Sequence, residues 1–515
     1  MNRFVQRHVD SVIGMVSGWD RMRFRGTLRM LANLTGMNRF LSYRGRLLKD
    51  FGGYAEETSR QVRQKALAVV EGAGRPVVHL DSPAISKEQT ALEIAKRDQI
   101  DQGIIAALTA TESCHSYDIR SDREHNLLEL YARPRKCQHI YVYQIHRVFG
   151  FMYWRLQTWF PFNIHVGING REWLARRMDA LGMKYQRRDN CFAWMQDVKK
   201  AQRLLNQQVE FAWDDALTKM SRQINPALAS IVGDYDIPYY WSVDQSEWAS
   251  DVMFKSRQDL RVLYPSLIHH GMQTLASPDV MRFLGKLPAS GRLSGNFAGQ
   301  VKSDYRNHDE GVRIKHWVNQ NSVKMYDKGT ALRVETTLNN MRDLRAPRVV
   351  KGKVVYRPMR KGVADIKRRA QVSQASNERY LDAMAAVSVP TPLKTLTGKL
   401  SRPIGWKGKS VRGLNLLGDA DAALCAAVGR GEFAINGFRN RDLQKLLFTA
   451  QPKDTTEQRR RSGQITRRLR MLRAHGLINK VPHTHRYVVN EKGRQVIAAL
   501  HAAREANVEK LAKAA

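Results

Sequence analysis

Two acidic residues in one predicted hairpin have the types and spacing of a metal-binding pair. Asp327 ends one predicted strand, and Glu335 lies within the next, across a turn that begins at Lys328. Carboxylates on adjacent strands can lie on one face and share a hard divalent cation such as Mg²⁺ or Mn²⁺, which takes oxygen ligands. Asp327 and Glu335 are therefore predicted to be catalytic and to bind the metal. The alternative makes Asp327 a turn residue and pairs Glu335 with a lysine of the sheet.

The same hairpin resembles a stretch of the rolling-circle replication initiators of small plasmids and filamentous phages. In those proteins a Tyr-Asp-Lys turn precedes a strand with Arg-x-Glu, as Tyr326-Asp327-Lys328 and Arg333-x-Glu335 do here. The resemblance implies that a tyrosine and a divalent metal nick one DNA strand. It covers only residues 324–335. The family's His-hydrophobic-His metal pair is absent from the predicted strands, since His483-Thr-His485 falls in a predicted turn, and no tyrosine is identified as the nucleophile.

Asp20 is a second carboxylate candidate and is predicted to be catalytic. The apolar run 11–20 reads as a strand that ends at this acid, with 21–25 as its hairpin partner. This arrangement resembles the opening of RNase H-like nucleases and transposases, which implies further acids on a later strand and helix. The pattern does not select among six candidates, which are Asp118, Asp122, Asp189, Asp244, Glu247 and Asp251. The alternative is a turn or capping role for Asp20.

The last ninety residues resemble a winged helix-turn-helix. A short apolar helix at 443–448 precedes a basic helix in which Ile465, Leu469 and Leu472 recur at helical spacing and which stops at Gly476. Two strands, 477–481 and 486–489, then form a wing. The arginines predicted to contact DNA are Arg459, Arg460, Arg461, Arg467, Arg468, Arg470, Arg473 and Arg486. The alternative is a solvated helix without a binding role.

A second basic region precedes this tail. Residues 342–369 contain eleven Lys and Arg but only two acids, Asp343 and Asp365. Such a charge excess favours contact with phosphates, although a merely solvated face is the alternative. The residues predicted to bind nucleic acid here are Arg357, Arg360, Lys361, Arg368 and Arg369.

The composition of the chain points to a polyanionic partner. The 515 residues carry a formal net charge of +37, and 43% of them are hydrophobic, which suffices for folded cores. DNA is the expected partner and RNA the alternative. No membrane partner is expected, because no apolar run reaches the length of a membrane span. The first residues lack the apolar run of a signal peptide, and four cysteines make no disulfide scaffold, so a cytoplasmic location is expected. No motif for a nucleotide or organic cofactor occurs.

Two weaker patterns lie in the first predicted β block. Cys114-His115 and Cys137-x-His139 could supply a zinc site, but the usual paired Cys-x2-4-Cys spacing is absent, which favours buried single cysteines. Aromatic residues and arginines alternate over 141–160. They could stack unpaired bases, or one aromatic set could build the core.

The elements predict an α+β, multidomain fold with antiparallel sheets. Strands are expected within 137–168 and 311–338, and helices within 171–181, 197–229 and 245–284. The expected domains are an N-terminal strand pair with a helical region (1–125), a central α+β domain with two β blocks and a basic extension (126–386), a basic linker (387–413) and the winged helix (414–515).

Together these features predict a DNA-processing protein of a mobile or replicating element. A metal-carboxylate centre would cut or join a strand, as in a metal-dependent endonuclease, nickase or transposase. The alternative is a non-enzymatic DNA-binding regulator or a binder of structured RNA. An enzyme predicts acids that converge in one basic cleft, whereas a binder predicts scattered acids.

Overall fold

The structure is a computed structural model that describes residues 2–125, 127–235, 237–285, 301–308, 311–342, 344–350, 352–387, 397–416, 418–430, 433, 437–448, 450–482 and 484–505. The chain divides into two compact units. The first unit contains Met15–Asp251 and Glu335–Gln374. The second unit contains Met1–Gly14, Val252–Val334 and Ala375–Ala515.

The elements follow one another along the chain in three stretches. The first holds α1 (Arg3–Arg7), β1 (Val12–Leu28), α2 (Leu34–Tyr43), α3 (Phe51–Glu71), β2 (Val77–His79), α4 (Lys87–Arg97), β3 (Gly103–Asp122), β4 (Leu127–His146), β5 (Gly150–Gln157), β6 (Ile164–Asn169), α5 (Gly170–Asp179), β7 (Tyr185–Arg188), β8 (Cys191–Met195), α6 (Val198–Glu210), α7 (Trp213–Ile224) and α8 (Leu228–Val232). The second holds β9 (Tyr239–Phe254), α9 (Arg257–Thr274), α10 (Ser277–Phe283), β10 (Val301–His308), β11 (Gly311–Val318), β12 (Asn321–Asp327), β13 (Ala331–Leu338), β14 (Arg345–Val350), β15 (Lys353–Pro358) and α11 (Ile366–Met384). The third holds β16 (Ile404–Trp406), β17 (Lys409–Val411), α12 (Asp419–Gly429), α13 (Asn440–Leu447), α14 (Thr455–Ala474), β18 (Ile478–Lys480), β19 (Tyr487–Val489) and α15 (Glu491–Glu505). Short 3-10 helices lie at Leu48–Asp50 and Val363–Asp365.

A large mixed sheet organises the first unit. Its strands lie in the order β13, β9, β1, β6, β5, β4, β3 and β2. The pairs from β3 to β6 and the β1–β6 pair are antiparallel, whereas β2 runs parallel to β3. With its helices, this sheet confirms the predicted α+β class. Two separate hairpins, β7–β8 and β14–β15, belong to the same unit.

Strand β1 continues through Asp20 instead of ending there. Residues 21–26 pair antiparallel with β6, so the expected hairpin partner at 21–25 is the second half of the same strand. The reason lies in the alternation: Met22 and Phe24 are buried, while Arg21 and Arg23 are exposed, and no turn residue interrupts the run. Asp20 therefore lies in the middle of a long strand.

The helical prediction for 245–284 was wrong at its start. Residues up to Phe254 belong to strand β9, and helix α9 begins only at Arg257, where Ser256 and Asp259 form a capping box. The segment from Tyr239 to Phe254 is rich in aromatic and β-branched residues, which favour a strand buried on both faces over a helix.

The second unit contains an antiparallel meander and the C-terminal elements. Strands β10, β11 and β12 and residues 331–334 of β13 lie in chain order, and with the rest of β13 they confirm the strands predicted within 311–338 and add β10. In the C-terminal part, Ile465, Leu469 and Leu472 of α14 are buried in one apolar cluster, as their helical spacing predicted. Strands β18 and β19 pair antiparallel after this helix.

The compact units do not follow the expected domain boundaries. The boundary at 125/126 falls between β3 and β4, which pair along almost their whole lengths. The expected linker 387–413 includes the hairpin β16–β17, and Leu400 is buried in the same cluster as α14. Residues 388–396 of that linker lie outside the described residues. Among the described helices, none is long and apolar enough to cross a membrane.

Candidate functional site

Three carboxylates from three neighbouring strands converge in the first unit. They are Asp20 of β1, Glu247 of β9 and Glu335 of β13, and these strands lie side by side in the sheet. One oxygen from each carboxylate lies within 4.8 Å of the other two. Asp20 and Glu335 are 3% and 1% exposed, whereas Glu247 is half-buried. Glu247 is therefore the member of the acidic site that solvent reaches.

A pair of tryptophans fixes how two of these strands meet. Trp19 and Trp248 pack edge to face, with ring centroids 4.8 Å apart, and both rings are buried. Successive side chains of a strand point to opposite faces of the sheet. Because Asp20 follows Trp19 and Glu247 precedes Trp248, the ring contact on one face brings the two carboxylates together on the other. Register is strongly specified where one face of a strand is buried, as it is at these two tryptophans.

A chain of side-chain amides holds the Asp20 carboxylate. The Asn190 amide donates a hydrogen bond to Asp20 Oδ1, and Asn190 Oδ1 accepts one from Asn169 Nδ2 at 2.7 Å. Asn169 is also the N-cap of helix α5, where its side-chain oxygen accepts the backbone N–H groups of Arg171 and Glu172. The Asp20 carboxylate is thus linked through Asn190 and Asn169 to the N-terminus of helix α5.

A glycine permits the close approach of this helix. A Cβ atom at Gly170 would lie 2.3 Å from the Trp19 carbonyl oxygen, so only glycine fits at the first position of α5 without displacing the backbone. Gln208 stabilises the same turn by donating a 2.7 Å hydrogen bond to the Gly170 carbonyl.

A second amide contacts the acidic site at Glu247, where the Gln245 side chain donates a hydrogen bond to Oε1 at 3.3 Å. Polar groups therefore orient two of the three carboxylates.

The charge of the acidic site fits a hard divalent cation. Carboxylates this close to one another repel when all are ionised, and burial of two of them strengthens the repulsion. Mg²⁺ and Mn²⁺ take carboxylate oxygens as ligands, and three such oxygens within one coordination sphere lie at separations of this order. In the part of the chain that the structure describes, a second group of acids and histidine, Asp122, Glu124 and His125, lies at the β3–β4 turn. Asp122 accepts the backbone N–H groups of the other two, which is turn chemistry.

The acidic site unites two candidates that the sequence presented separately, Asp20 and Glu335, but it does not include Asp327. The Asp327 carboxylate accepts the Gly329 backbone N–H at 2.6 Å, so it closes the turn after β12. Glu247 was among the six acids that the pattern did not distinguish, and it lies on a strand, as Glu335 does, instead of on a helix. The aromatic and β-branched residues around it could have revealed that strand.

The other five acids have roles elsewhere. Asp244 lies 3.3 Å from His165, Asp251 lies 3.3 Å from the buried Arg171, Asp118 pairs with Arg133 at 2.8 Å, Asp122 pairs with His125 at 2.8 Å, and Asp189 occupies a turn with a positive φ of 51°.

The arginines of α14 divide into exposed and engaged side chains. Arg459, Arg460 and Arg467 are exposed. Arg461 forms an ion pair with Glu457 at 2.6 Å and also donates to the Ala450 carbonyl. The other predicted contact residues of this region, Arg468, Arg470, Arg473 and Arg486, are half-buried. The guanidinium groups of Arg470 and Arg473 lie 5.8 and 5.3 Å from the Trp406 ring centroid. Arg486 donates a hydrogen bond to the Gly437 carbonyl at 3.4 Å. The exposed three are the best placed for phosphate contacts.

The basic region 342–369 divides in the same way. Arg357, Arg360 and Lys361 are exposed, whereas Arg369 is only 2% exposed. Arg369 donates to the carbonyls of Val243 at 2.7 Å and Leu338 at 3.4 Å, and burial lowers the pKa of its guanidinium to about 9. Arg368 is half-buried and donates to the Arg345 carbonyl at 3.0 Å. Arg369 therefore contacts the interior of the first unit, and its burial contradicts the prediction that it binds nucleic acid.

The sulfur and aromatic groups of the long β3–β4 hairpin pack within the fold. Cys114 and Cys137 are buried with their sulfur atoms 3.1 Å apart, and Cys137 Sγ lies 3.9 Å from His139 Nδ1. His115 is exposed and so does not join them. Tyr143 is buried against an apolar cluster that Tyr141, Phe151 and Tyr153 partly cover. Tyr141, Tyr143, Phe151 and Tyr153 therefore pack as part of the core of this region.

The chain matches no protein-family model, no curated protein and no solved structure.

Proposed function

We propose that the protein binds DNA and cuts one strand at the acidic site formed by Asp20, Glu247 and Glu335, with Mg²⁺ or Mn²⁺, as part of a mobile or replicating element. The observation that carries this proposal is the convergence of three carboxylates from three neighbouring strands, two of them buried. Carboxylate oxygens that converge from separate strands are the ligands that Mg²⁺ and Mn²⁺ take in proteins.

The carboxylates of the acidic site and the amide side chains around them have different proposed roles. Asp20, Glu247 and Glu335 would hold the cation, which when bound polarises a phosphate oxygen and lowers the pKa of an attacking water. Asn190 keeps the Asp20 carboxylate in one orientation, and Gln245 does the same for Glu247. Because Glu247 is the half-buried member, we infer that the DNA strand approaches from its side.

DNA binding is supported by charge and by the C-terminal elements. The chain carries +37 formal charges, enough for strong and salt-sensitive attraction to phosphates. The order α13, α14 and the β18–β19 hairpin is that of a winged helix-turn-helix, in which the second helix enters the major groove. The exposed Arg459, Arg460 and Arg467 lie along α14 and would contact the DNA.

The decisive experiment compares cleavage with binding in the full chain. Purified protein is incubated with supercoiled plasmid in EDTA, Mg²⁺ or Mn²⁺, and nicked product is measured. We expect nicking only with a divalent cation, loss of nicking in Glu335→Gln, and unchanged affinity for DNA in that variant. Asp327→Asn is the matched control and should still nick, because Asp327 closes a turn.

Cation-independent nicking, or equal nicking by Glu335→Gln, would overturn the proposal. Tight binding of duplex DNA without nicking under any of these conditions would favour the alternative of a DNA-binding regulator. Preference for structured RNA over duplex DNA in the same titration would favour the RNA-binding alternative.

A further inference from the structure

A short hairpin of the first unit exposes an apolar face. Strands β14 and β15 pair only with each other, in a sheet separate from the large one. Pro347 pairs with Tyr356, and Val349 with Val354. Alternate residues of a strand share one face, so these four side chains form a ladder on one side of the hairpin. Val349, Val354 and Tyr356 are 76%, 65% and 56% exposed, and Pro347 is exposed as well.

Residues at the base of this hairpin are buried in the first unit, and this burial fixes the position of the exposed ladder. Ala346 of β14 and Met359, which follows β15, are buried in a small apolar cluster with Leu338, Met341 and Leu344. On the face opposite the ladder, Arg348 forms an ion pair with the buried Asp365. The outer part of the hairpin therefore carries its apolar face into solvent while its base belongs to the core.

The charge around the ladder identifies the kind of partner. Arg345, Lys353, Arg357, Arg360 and Lys361 are exposed on or next to the hairpin. The one described acid among residues 344–369, Asp365, is engaged by Arg348 and by the Arg360 backbone N–H. An apolar surface ringed by cations favours a polyanion that also offers apolar surface. Duplex DNA has both, in its phosphates and its stacked bases.

The edges of this hairpin are poorly suited to pairing with a strand from another chain. Proline lacks the N–H that strand pairing needs, and Pro347 in β14 and Pro358 in β15 interrupt the donors of both edges. A side-chain contact with a grooved surface does not need those donors.

We propose that the apolar ladder of Pro347, Val349, Val354 and Tyr356 enters the minor groove of the bound DNA and wedges apart a base step, so that the substrate of the acidic site is locally unstacked duplex. The proposal rests on the proposed function in taking DNA as the ligand. Proteins that insert apolar side chains in this way kink the duplex and unstack the step, while flanking cations hold the phosphates.

The test uses the full chain and supercoiled plasmid in EDTA, so that no cleavage is involved. Permanganate, which oxidises unstacked thymines, reports on base unstacking at whichever sequence the protein binds. We expect new permanganate-reactive thymines with the wild type at saturation and their loss in the double variant Val349→Ser/Val354→Ser. The double variant should bind DNA with a Kd raised roughly tenfold, the effect of losing apolar contact the size of one side chain. Arg357→Ala is the matched control, with weaker binding but retained reactivity at saturation.

Several results would overturn the inference. They are no reactive thymines with the bound wild type, equal reactivity in the double variant, or no binding of DNA at all. A change of oligomeric state in the double variant, with unchanged DNA reactivity, would mark the ladder as a contact between copies of the chain and would also overturn it. The two proposals fail separately: binding with unstacking but without Mg²⁺-dependent nicking overturns only the proposed function, and nicking without unstacking overturns only this inference.

Discussion

Asn190 donates a side-chain hydrogen bond to the carboxylate of Asp20, although the two residues lie 170 positions apart in the chain. The same asparagine accepts a hydrogen bond from Asn169, the N-cap of helix α5. Asn190 therefore links the N-terminus of helix α5 to one carboxylate of the acidic site. This relationship makes Asn190 a positioning residue.

Replacing Asn190 by alanine should weaken the acidic site without removing a carboxylate. Residues that orient metal ligands typically contribute 10–100-fold to metal affinity, so we expect the Kd for Mn²⁺ to rise by about that factor. Titration followed by the paramagnetic signal of free Mn²⁺ measures it. Asn169→Ser is the control, because serine keeps the helix cap, and it should have a smaller effect. An unchanged Mn²⁺ affinity in Asn190→Ala would show that the hydrogen bond does not orient a ligand.

Metal binding should also appear in thermal stability. A ligand at about 100 times its Kd stabilises the folded state by about 2.7 kcal/mol, so saturating Mn²⁺ should raise the Tm of the wild type. Glu247→Gln should show a smaller Mn²⁺-induced rise in Tm than the wild type, because it removes one of the three carboxylates that would hold the cation. An equal rise in both proteins would show that this carboxylate does not bind the cation.

Gly170→Ala should damage the acidic site through the backbone. The added Cβ would lie 2.3 Å from the Trp19 carbonyl oxygen, next to Asp20. Overpacking of this kind costs roughly 1–3 kcal/mol, and we expect that loss in the free energy of unfolding together with reduced nicking. Gly53→Ala in helix α3 is the matched control, because no atom lies within 4 Å of its added Cβ. Equal stability of the two variants would contradict the close approach of α5 to β1.

Stability should fall as the pH drops from about 6.5 towards 4. Burial lowers the pKa of His139 to about 4, with Arg155 adding to the effect, so the unfolded chain binds a proton that the folded chain excludes across this window. The stabilisation that neutral, buried His139 contributes is therefore complete above the unfolded pKa of about 6.5. It is lost as the pH falls from there towards the folded pKa, at up to about 1.4 kcal/mol per pH unit. Urea unfolding at several pH values should show a shallower dependence in His139→Asn. His115→Asn, at an exposed position of the same hairpin, is the control, and an equal slope in wild type and His139→Asn would contradict the prediction.

The exposed arginines of α14 should account for part of the salt dependence of DNA binding. Each phosphate contact contributes about 0.9 to the slope of log Kd against log salt, so the triple variant Arg459→Ala/Arg460→Ala/Arg467→Ala should lower that slope by as much as about 2.7. Arg461→Ala is the control, because Arg461 is held by Glu457. Fluorescence anisotropy over a salt series measures both, and identical slopes for wild type and the triple variant would exclude this face of α14 from the interface.

Much of the local structure could be predicted from the sequence, because it depends on short-range periodicity. The helical spacing of Ile465, Leu469 and Leu472 identified the buried stripe of α14. The turn at Lys328 and the alternating strands around it identified the β11–β13 meander. The charge of +37 predicts a polyanionic partner, and this stays a prediction.

The composition of the acidic site was decided by the tertiary structure alone. Asp20, Glu247 and Glu335 lie on strands that are far apart in the chain, and local periodicity does not encode which strands become neighbours. Side-chain packing made that choice: the contact between Trp19 and Trp248 sets Asp20 beside Glu247. Asp327 resembled a ligand by spacing along the chain, but a hydrogen bond to the Gly329 backbone directs its carboxylate into a turn. The sequence by itself thus determined which acids are available and a net charge of +37, and the order of strands in the sheet decided which acids meet.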